Sequence, residues 1–274
     1  MSIDCYSITA NQLTGNESRI PVVVMDDKGE VHYEIAFRML MEVEENNRNN
    51  RKTVFICPVG PIAQYRIFAR WVNERRINLK NTWIINMDEY LTDDEEWIDK
   101  SNPLSFHGYM DRELYNRLNP ELTVPEEQRI FPDPHEPGAV WKLIQELGGV
   151  DMVTGGIALN GHIAFNEPEP EMSVKEFEQQ PTRIVKLSME TKIKDAILTR
   201  GGAVDSIPNK CITVGMKEIL SARKLRFSML LDMQRAVIRK ACFGEISAGC
   251  PISLVQKHPD ALLMVSRNVL EKPF

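Results

Sequence analysis

Short apolar runs rich in β-branched residues alternate along the chain with stretches of helical length, beginning at residues 20–25 (IPVVVM). The second run, 53–58 (TVFICP), closes in a Pro-Val-Gly-Pro turn, and residues 63–75 then carry Ile67, Trp71 and Val72 at helical spacing. A third run, 82–87 (TWIINM), stops abruptly at Asp88-Glu89-Tyr90, and a fourth, 150–159 (VDMVTGGIAL), opens into NGHIAFNEP. Further runs recur at 183–187 (RIVKL), 210–215 (KCITVG), 225–232 (LRFSMLLD) and 261–265 (ALLMV). Repeated strand and helix signals with nearly continuous apolar strands predict an α/β fold. Its form is a doubly wound, mostly parallel, Rossmann-like sheet with helices on both faces. Ligands of such sheets lie in the crevice at the carboxyl ends of the strands, where Asp88 and His162 would both fall. The polar stretch 167–180 reads as a long loop or short helix placed to cover that site.

Composition narrows this picture. A chain of 274 residues is expected to fold as one domain over 1–274. With 43% hydrophobic and 26% charged residues it has the make-up of a packed globular protein. The net charge of −6 offers no basic field for nucleic acid or an anionic membrane. No run approaches the roughly 18 to 20 apolar residues that span a bilayer, and the opening residues lack a basic region followed by an apolar stretch, so a cytoplasmic protein is expected. Cys5, Cys57, Cys211, Cys242 and Cys250 show no CxxC spacing and point to reduced thiols rather than a disulfide framework or zinc site.

The chemistry concentrates in two places. Residues 155–168 (GGIALNGHIAFNEP) gather Asn160, Gly161, His162 and Glu167 in one turn region after a buried strand. Glycine there permits positive φ and close approach of a ligand. A carboxylate five residues beyond His162 can fix the tautomer of the ring and raise its basicity, a pairing suited to acid-base work, although a lone loop histidine is as often structural. Asp88-Glu89 is the second candidate, since a carboxylate at a strand end can be desolvated into a useful base; a helix cap or solvated turn is the plainer explanation. The five histidines are dispersed and no HExxH helix exists, so no metal is expected.

NMDEY (86–90), SFHGYM (105–110), GGIALNGHIAFNEP and VQKHPDALLMV (255–265) together resemble the glucosamine-6-phosphate deaminase/isomerase family, in the order expected of it. The related 6-phosphogluconolactonases share the Gly-His element, but GHIAFNEP is closer to the deaminase version. The resemblance implies aldose-ketose isomerisation of an amino sugar with release of ammonia, without a cofactor. Asp88 would then move the proton between the amine-bearing carbon and its neighbour, while His162 with Glu167, oriented by Asn160, would assist ring opening. Gly60, Glu89, Gly161 and Arg235 would contact a sugar or sugar phosphate, and the protein would form homo-oligomers.

The departures from the family pattern are as informative. Asn160 stands where the family usually has aspartate; it can orient an imidazole but brings no charge, so Asn160→Asp is expected to speed ring opening. The turn at Pro58-Val59-Gly60-Pro61 is shorter than the family's glycine- and threonine-rich phosphate turn, and its prolines lack amide donors. Asp232-Met233-Gln234-Arg235 replaces Gly-Ser-Gln-Lys, and Ile197 falls where relatives carry a phosphate-binding arginine. A terminal phosphate is therefore expected to contribute less here than in relatives. A lactonase-type hydrolase and a non-catalytic sugar-binding protein remain the alternatives.

Overall fold

The computed structural model describes residues 4–60 and 62–274. Its strands, in chain order, are β1 (Val22–Met25), β2 (Thr53–Cys57), β3 (Thr82–Asn86), β4 (Asp88–Leu91), β5 (Arg129–Ile130), β6 (Met152–Gly156), β7 (Arg183–Lys186), β8 (Lys210–Thr213), β9 (Lys224–Met229) and β10 (Ala261–Ser266). The helices are α1 (Ala10–Thr14), α2 (Lys28–Arg48), α3 (Gln64–Arg75), α4 (Phe106–Glu113), α5 (Ala139–Leu147), α6 (Val174–Glu178), α7 (Met189–Thr199), α8 (Met216–Leu220) and α9 (Arg235–Phe243).

Seven strands form one sheet in the order β1-β10-β9-β6-β2-β3-β5, every neighbouring pair parallel. Because side chains alternate across a strand, each central strand feeds two cores. Val54 and Ile56 of β2 join a cluster with residues of α1, α5, α8 and α9, whereas Phe55 and Cys57 join residues of α2, α3 and α4 on the other face. α2 is built for this role: Asp27 accepts the backbone N–H of Glu30 at 3.0 Å as its N-cap, and Val31, Ile35, Met39 and Val43 form one buried stripe. The expected doubly wound parallel sheet is thus the main body of the fold.

The remaining strands depart from expectation. β4, β8 and β7 form a separate three-stranded antiparallel sheet, in which Asp88 pairs with Thr213 and Arg183 pairs with Thr213 from the other side. The runs at 183–187 and 210–215 therefore do not extend the parallel sheet, and Asp88 opens a strand instead of ending one. An apolar run reports burial but not the direction or identity of its hydrogen-bonding partner, so the pattern alone could not separate the two sheets. A third core cluster, including Tyr90, Phe165, Leu187, Ala196 and Cys211, joins this small sheet to α7.

Strand order reverses between β2 and β6, the place where open α/β sheets form a ligand crevice. The segments leaving both strands meet there, the backbone N–H of Gly156 donating to Gly60 O at 3.2 Å. Arg239 of α9 is fully buried. Its guanidinium donates to the carbonyls of Ile8 (2.9 Å), Arg235 (2.6 Å) and Leu270 (2.8 Å), which makes burial of the charge tolerable.

Candidate active site

The loop after β6 is shaped by packing before it can serve chemistry. Gly161 has φ +90°, and a Cβ there would meet Cys250 Sγ at 3.1 Å and side-chain carbons of Ile252 and Val237 at 3.3 Å. Glycine is therefore called for at this position both by the positive φ, as expected, and by the core beneath the loop. Asn166 fastens the far end of the loop, its Nδ2 donating to Ile163 O at 3.0 Å and to Val214 O at 2.9 Å.

This scaffold brings Asn160, His162 and Glu167 together. His162 Nδ1 lies 3.3 Å from Glu167 Oε2, and Asn160 Nδ2 donates to the same oxygen at 3.0 Å. Asn160 Oδ1 accepts the backbone N–H of His162 at 3.2 Å, which fixes the amide with its donor side towards the carboxylate. The other carboxylate oxygen, Oε1, accepts from Ser188 Oγ at 3.0 Å and from Thr191 Oγ1 at 2.5 Å. Burial alone would raise the pKa of Glu167. The hydrogen bonds from His162, Thr191 and Asn160, with the opposite charge of the ring, outweigh burial and hold it at about 2.

Asp88 sits in the contrary environment. Its side chain is buried, and burial, reinforced by the nearby charges of Glu89 and Asp195, pushes its carboxyl well above the usual carboxylate range, with Lys194 pulling the other way. The two loops share walls through β8. Thr213, paired with Asp88 across the antiparallel ladder, accepts the backbone N–H of Phe165 on its hydroxyl at 3.0 Å, and Val214 N donates to Met87 O at 2.6 Å. Tyr90 completes the junction: its ring lies 5.5 Å from that of Phe165, and its hydroxyl donates to Asp195 of α7 at 2.9 Å.

The chain belongs to the glucosamine-6-phosphate deaminase family. The glucosamine-6-phosphate deaminase of Lachnoclostridium phytofermentans is 30% identical over 206 residues, covering 73% of this chain and 80% of the relative. That of Mycoplasma mycoides subsp. mycoides is 26% identical, covering 87% and 93%. Among solved structures, a monomeric glucosamine-6-phosphate deaminase described as a missing link of the NagB superfamily superposes with a TM-score of 0.78 at 23% identity, covering 90% of this chain and 98% of its own. No protein-family model matches the chain.

Other positions singled out from the deaminase-family resemblance fare differently. Glu89 is fully buried and is spent on the start of α4. It accepts from Ser105 Oγ (3.1 Å) and from the backbone N–H groups of Phe106 (3.0 Å) and His107 (2.8 Å), and it lies 2.8 Å from His107 Nδ1. A carboxylate so engaged is a helix cap with no lone pair turned to a sugar. Gly60 is exposed, with nothing within 4 Å of the place a Cβ would occupy, and its carbonyl accepts from Gly156. Arg235 is held by Asp232 at 3.2 Å, Glu271 at 2.6 Å and the carbonyl of Asn268 at 3.0 Å.

Several functional neighbours escaped the sequence. Ser188 carried one signal, since Ser-Met-Glu-Thr reads as a helix start, and Ser188 does cap α7. Thr191, Thr213 and Asp195 reach the site through folding over distances no local pattern records. Gln64, in the first turn of α3 beside the turn after β2, is fully buried with neither end of its amide partnered among the described residues. Among those residues no three His, Cys, Asp or Glu side chains converge to hold a metal ion.

Proposed function

We propose that the protein is an amino-sugar deaminase/isomerase whose reaction converts an aldose bearing a C2 amine, with water, into a ketose and ammonia. His162, oriented by Glu167 and Asn160, moves the proton that opens the ring. Asp88 takes the proton from the amine-bearing carbon and delivers it to C1, while O1 gains the proton that the amine nitrogen loses, which leaves a hydroxymethyl group at C1 and an imine at C2. Water adds to that imine and ammonia departs. The observation that carries this reading is the link made by Thr213, which pairs with Asp88, a carboxyl whose proton affinity is raised by burial, and accepts from Phe165 in the loop that fastens His162 to a carboxylate held in its charged form. Acid and base roles need such opposed environments.

Lactone hydrolysis, the reaction named for structural neighbours such as the 6-phosphogluconolactonase from Trypanosoma cruzi (TM-score 0.65, 13% identity), needs no base aimed at carbon. Ammonia release from glucosamine 6-phosphate and glucosamine in deuterated water, run beside hydrolysis of a sugar lactone, separates the readings. Ammonia accompanied by deuterium at C1 of the ketose supports the isomerase; lactone turnover without either rejects it. The reading also takes in a cytoplasmic setting, supported by five free cysteines, of which burial raises Cys57 to about 12 and Cys242 to about 11. Homo-oligomerisation belongs to the same proposal and is measured by sedimentation of the purified chain. No helix of the described residues is long and apolar enough to cross a membrane.

A further inference from the structure

Three segments far apart in sequence converge on an apolar cleft next to the candidate catalytic residues. Leu159 from the loop after β6, Ile193, Ile197 and Leu198 from α7, and Met233 from the turn after β9 line a cavity of about 220 Å³. Pockets that enclose a whole small molecule run from about 300 Å³ upwards, so this one fits a substituent better than an entire sugar. Its lining is open to solvent: Ile197 is 65% exposed and Leu198 53%. Scattered exposed apolar residues need no explanation, but a wall assembled from three elements around one cavity does.

The cleft shares its walls with the site. Leu159 immediately precedes Asn160, and α7, which supplies Glu190, Ile193, Lys194, Ile197 and Leu198 to the lining, also supplies Thr191 to Glu167 and Asp195 to Tyr90. Its charges are unsuited to an anion. Lys194 is committed to Asp195 at 2.7 Å, and Glu190 adds a negative charge at the rim. Arg235, two residues from Met233, is already neutralised by Asp232 and Glu271. A phosphate seated among these side chains would have to compete with the carboxylates already paired to Lys194 and Arg235. An alkyl chain gains about fourfold in affinity for each methylene fully buried.

We propose that this cleft receives a short alkyl or acyl substituent on the non-reacting end of the amino-sugar substrate. The assignment rests on the deaminase/isomerase reading of the adjoining residues, and its test is built to fail separately. Open-chain 2-amino-2-deoxyglucitol, which cannot isomerise, is titrated calorimetrically in three forms: with a free C6 hydroxyl, with a 6-phosphate and with a 6-O-butyl ether. The butyl probe is expected to bind about tenfold or more tighter than the free form, and the phosphate no tighter than the free form. In Ile197→Arg, and in Met233→Ser, the ratio of butyl to free affinity falls towards one. Tightest binding of the phosphate probe, a ratio unmoved by both substitutions, or no binding of any probe overturns the assignment. Ammonia release is followed separately from glucosamine, its 6-phosphate and its 6-O-butyl ether. No release from any of them, with the butyl preference intact in binding, rejects the reaction and keeps the cleft. Fastest release from the phosphate keeps the reaction and rejects the cleft.

Discussion

Asp88 and Glu167 are both carboxylates withdrawn from water at the same edge of the fold, yet their surroundings drive them in opposite directions. Glu167 is met by the His162 ring, the Asn160 amide and two hydroxyls, and these hold its pKa at about 2. Asp88 faces burial and two further carboxylates, with Lys194 as the opposing charge, and its pKa is driven up. Burial is common to both; the partners decide the outcome. A group held charged can orient and stabilise a neighbour through a reaction cycle. A group whose charged form is penalised binds a proton more readily, and can take one from carbon.

The largest test of this contrast is Asp88→Asn. Exchange of the substrate's C2 hydrogen with solvent should fall by about a thousandfold or more, since an amide accepts no proton at neutral pH. The same variant should melt higher than wild type at pH 7. A group whose folded pKa is raised contributes stability that is complete below its unfolded pKa and is lost as pH rises through the folded value, so removing the charge relieves a penalty. Lower activity with an unchanged or lower melting temperature would mean that the Asp88 charge carries no such penalty in the folded protein.

His162→Ala and Glu167→Gln should each reduce turnover of ring-closed substrate by about a hundredfold to a thousandfold. Their double variant should be little worse than the poorer single one, because both disable one step. Strictly multiplicative losses in steady-state rates would separate the pair into independent roles.

Asn160→Asp has a smaller expected effect, and the geometry reverses its sign. Sequence reasoning predicts faster ring opening from a restored charge. In the folded protein the Asn160 amide donates to Glu167 Oε2 at 3.0 Å, so an aspartate would set two carboxylates against each other. At the dielectric of a partly buried site that repulsion is about 2 to 4 kcal/mol. Turnover should drop about tenfold at neutral pH and recover in part as pH is lowered and one carboxylate takes up a proton, which a pH-rate profile will display.

The mildest effect is on stability in acid. Glu167 is depressed below its ordinary value near 4.5, so its contribution is present above that pH and disappears as pH falls towards about 2. Melting curves of wild type and Glu167→Gln should differ by about 1 to 2 kcal/mol at pH 6, after allowance for solvent screening, and converge across that window. A constant difference down to pH 2 would contradict the depressed value.

Much of this arrangement was legible in the chain, but unevenly. The parallel sheet announced itself because its strands are buried on both faces and read as unbroken apolar runs; 53–58 and 82–87 became β2 and β3 with little change at their boundaries. The antiparallel sheet did not, because DEYL carries two acids in a strand that is buried throughout, a pattern that local preference assigns to a turn. β5, two residues long, has no period to detect. At the site, Asn160, His162 and Glu167 lie within one loop and could be read as a group. Ser188 and Thr191 reach Glu167 from 21 and 24 residues away, and Thr213 reaches Phe165 from 48, so only folding unites them. Glu89 is the opposite case. Its position beside Asp88 implied a shared function, but successive residues of a strand point to opposite faces, and Glu89 turns away to cap α4.

Arg239 has a consequence for how the molecule comes apart. One guanidinium satisfies carbonyls from the segments around Ile8 and around Leu270, regions separated by most of the chain. Segments near the extremities of a domain ordinarily fray independently and at little cost. Here, lifting either one strips an acceptor from a charge that has no water to turn to, and the loss weakens the hold on the other. The two segments are thereby made into a single latch, which stays shut or opens as a unit.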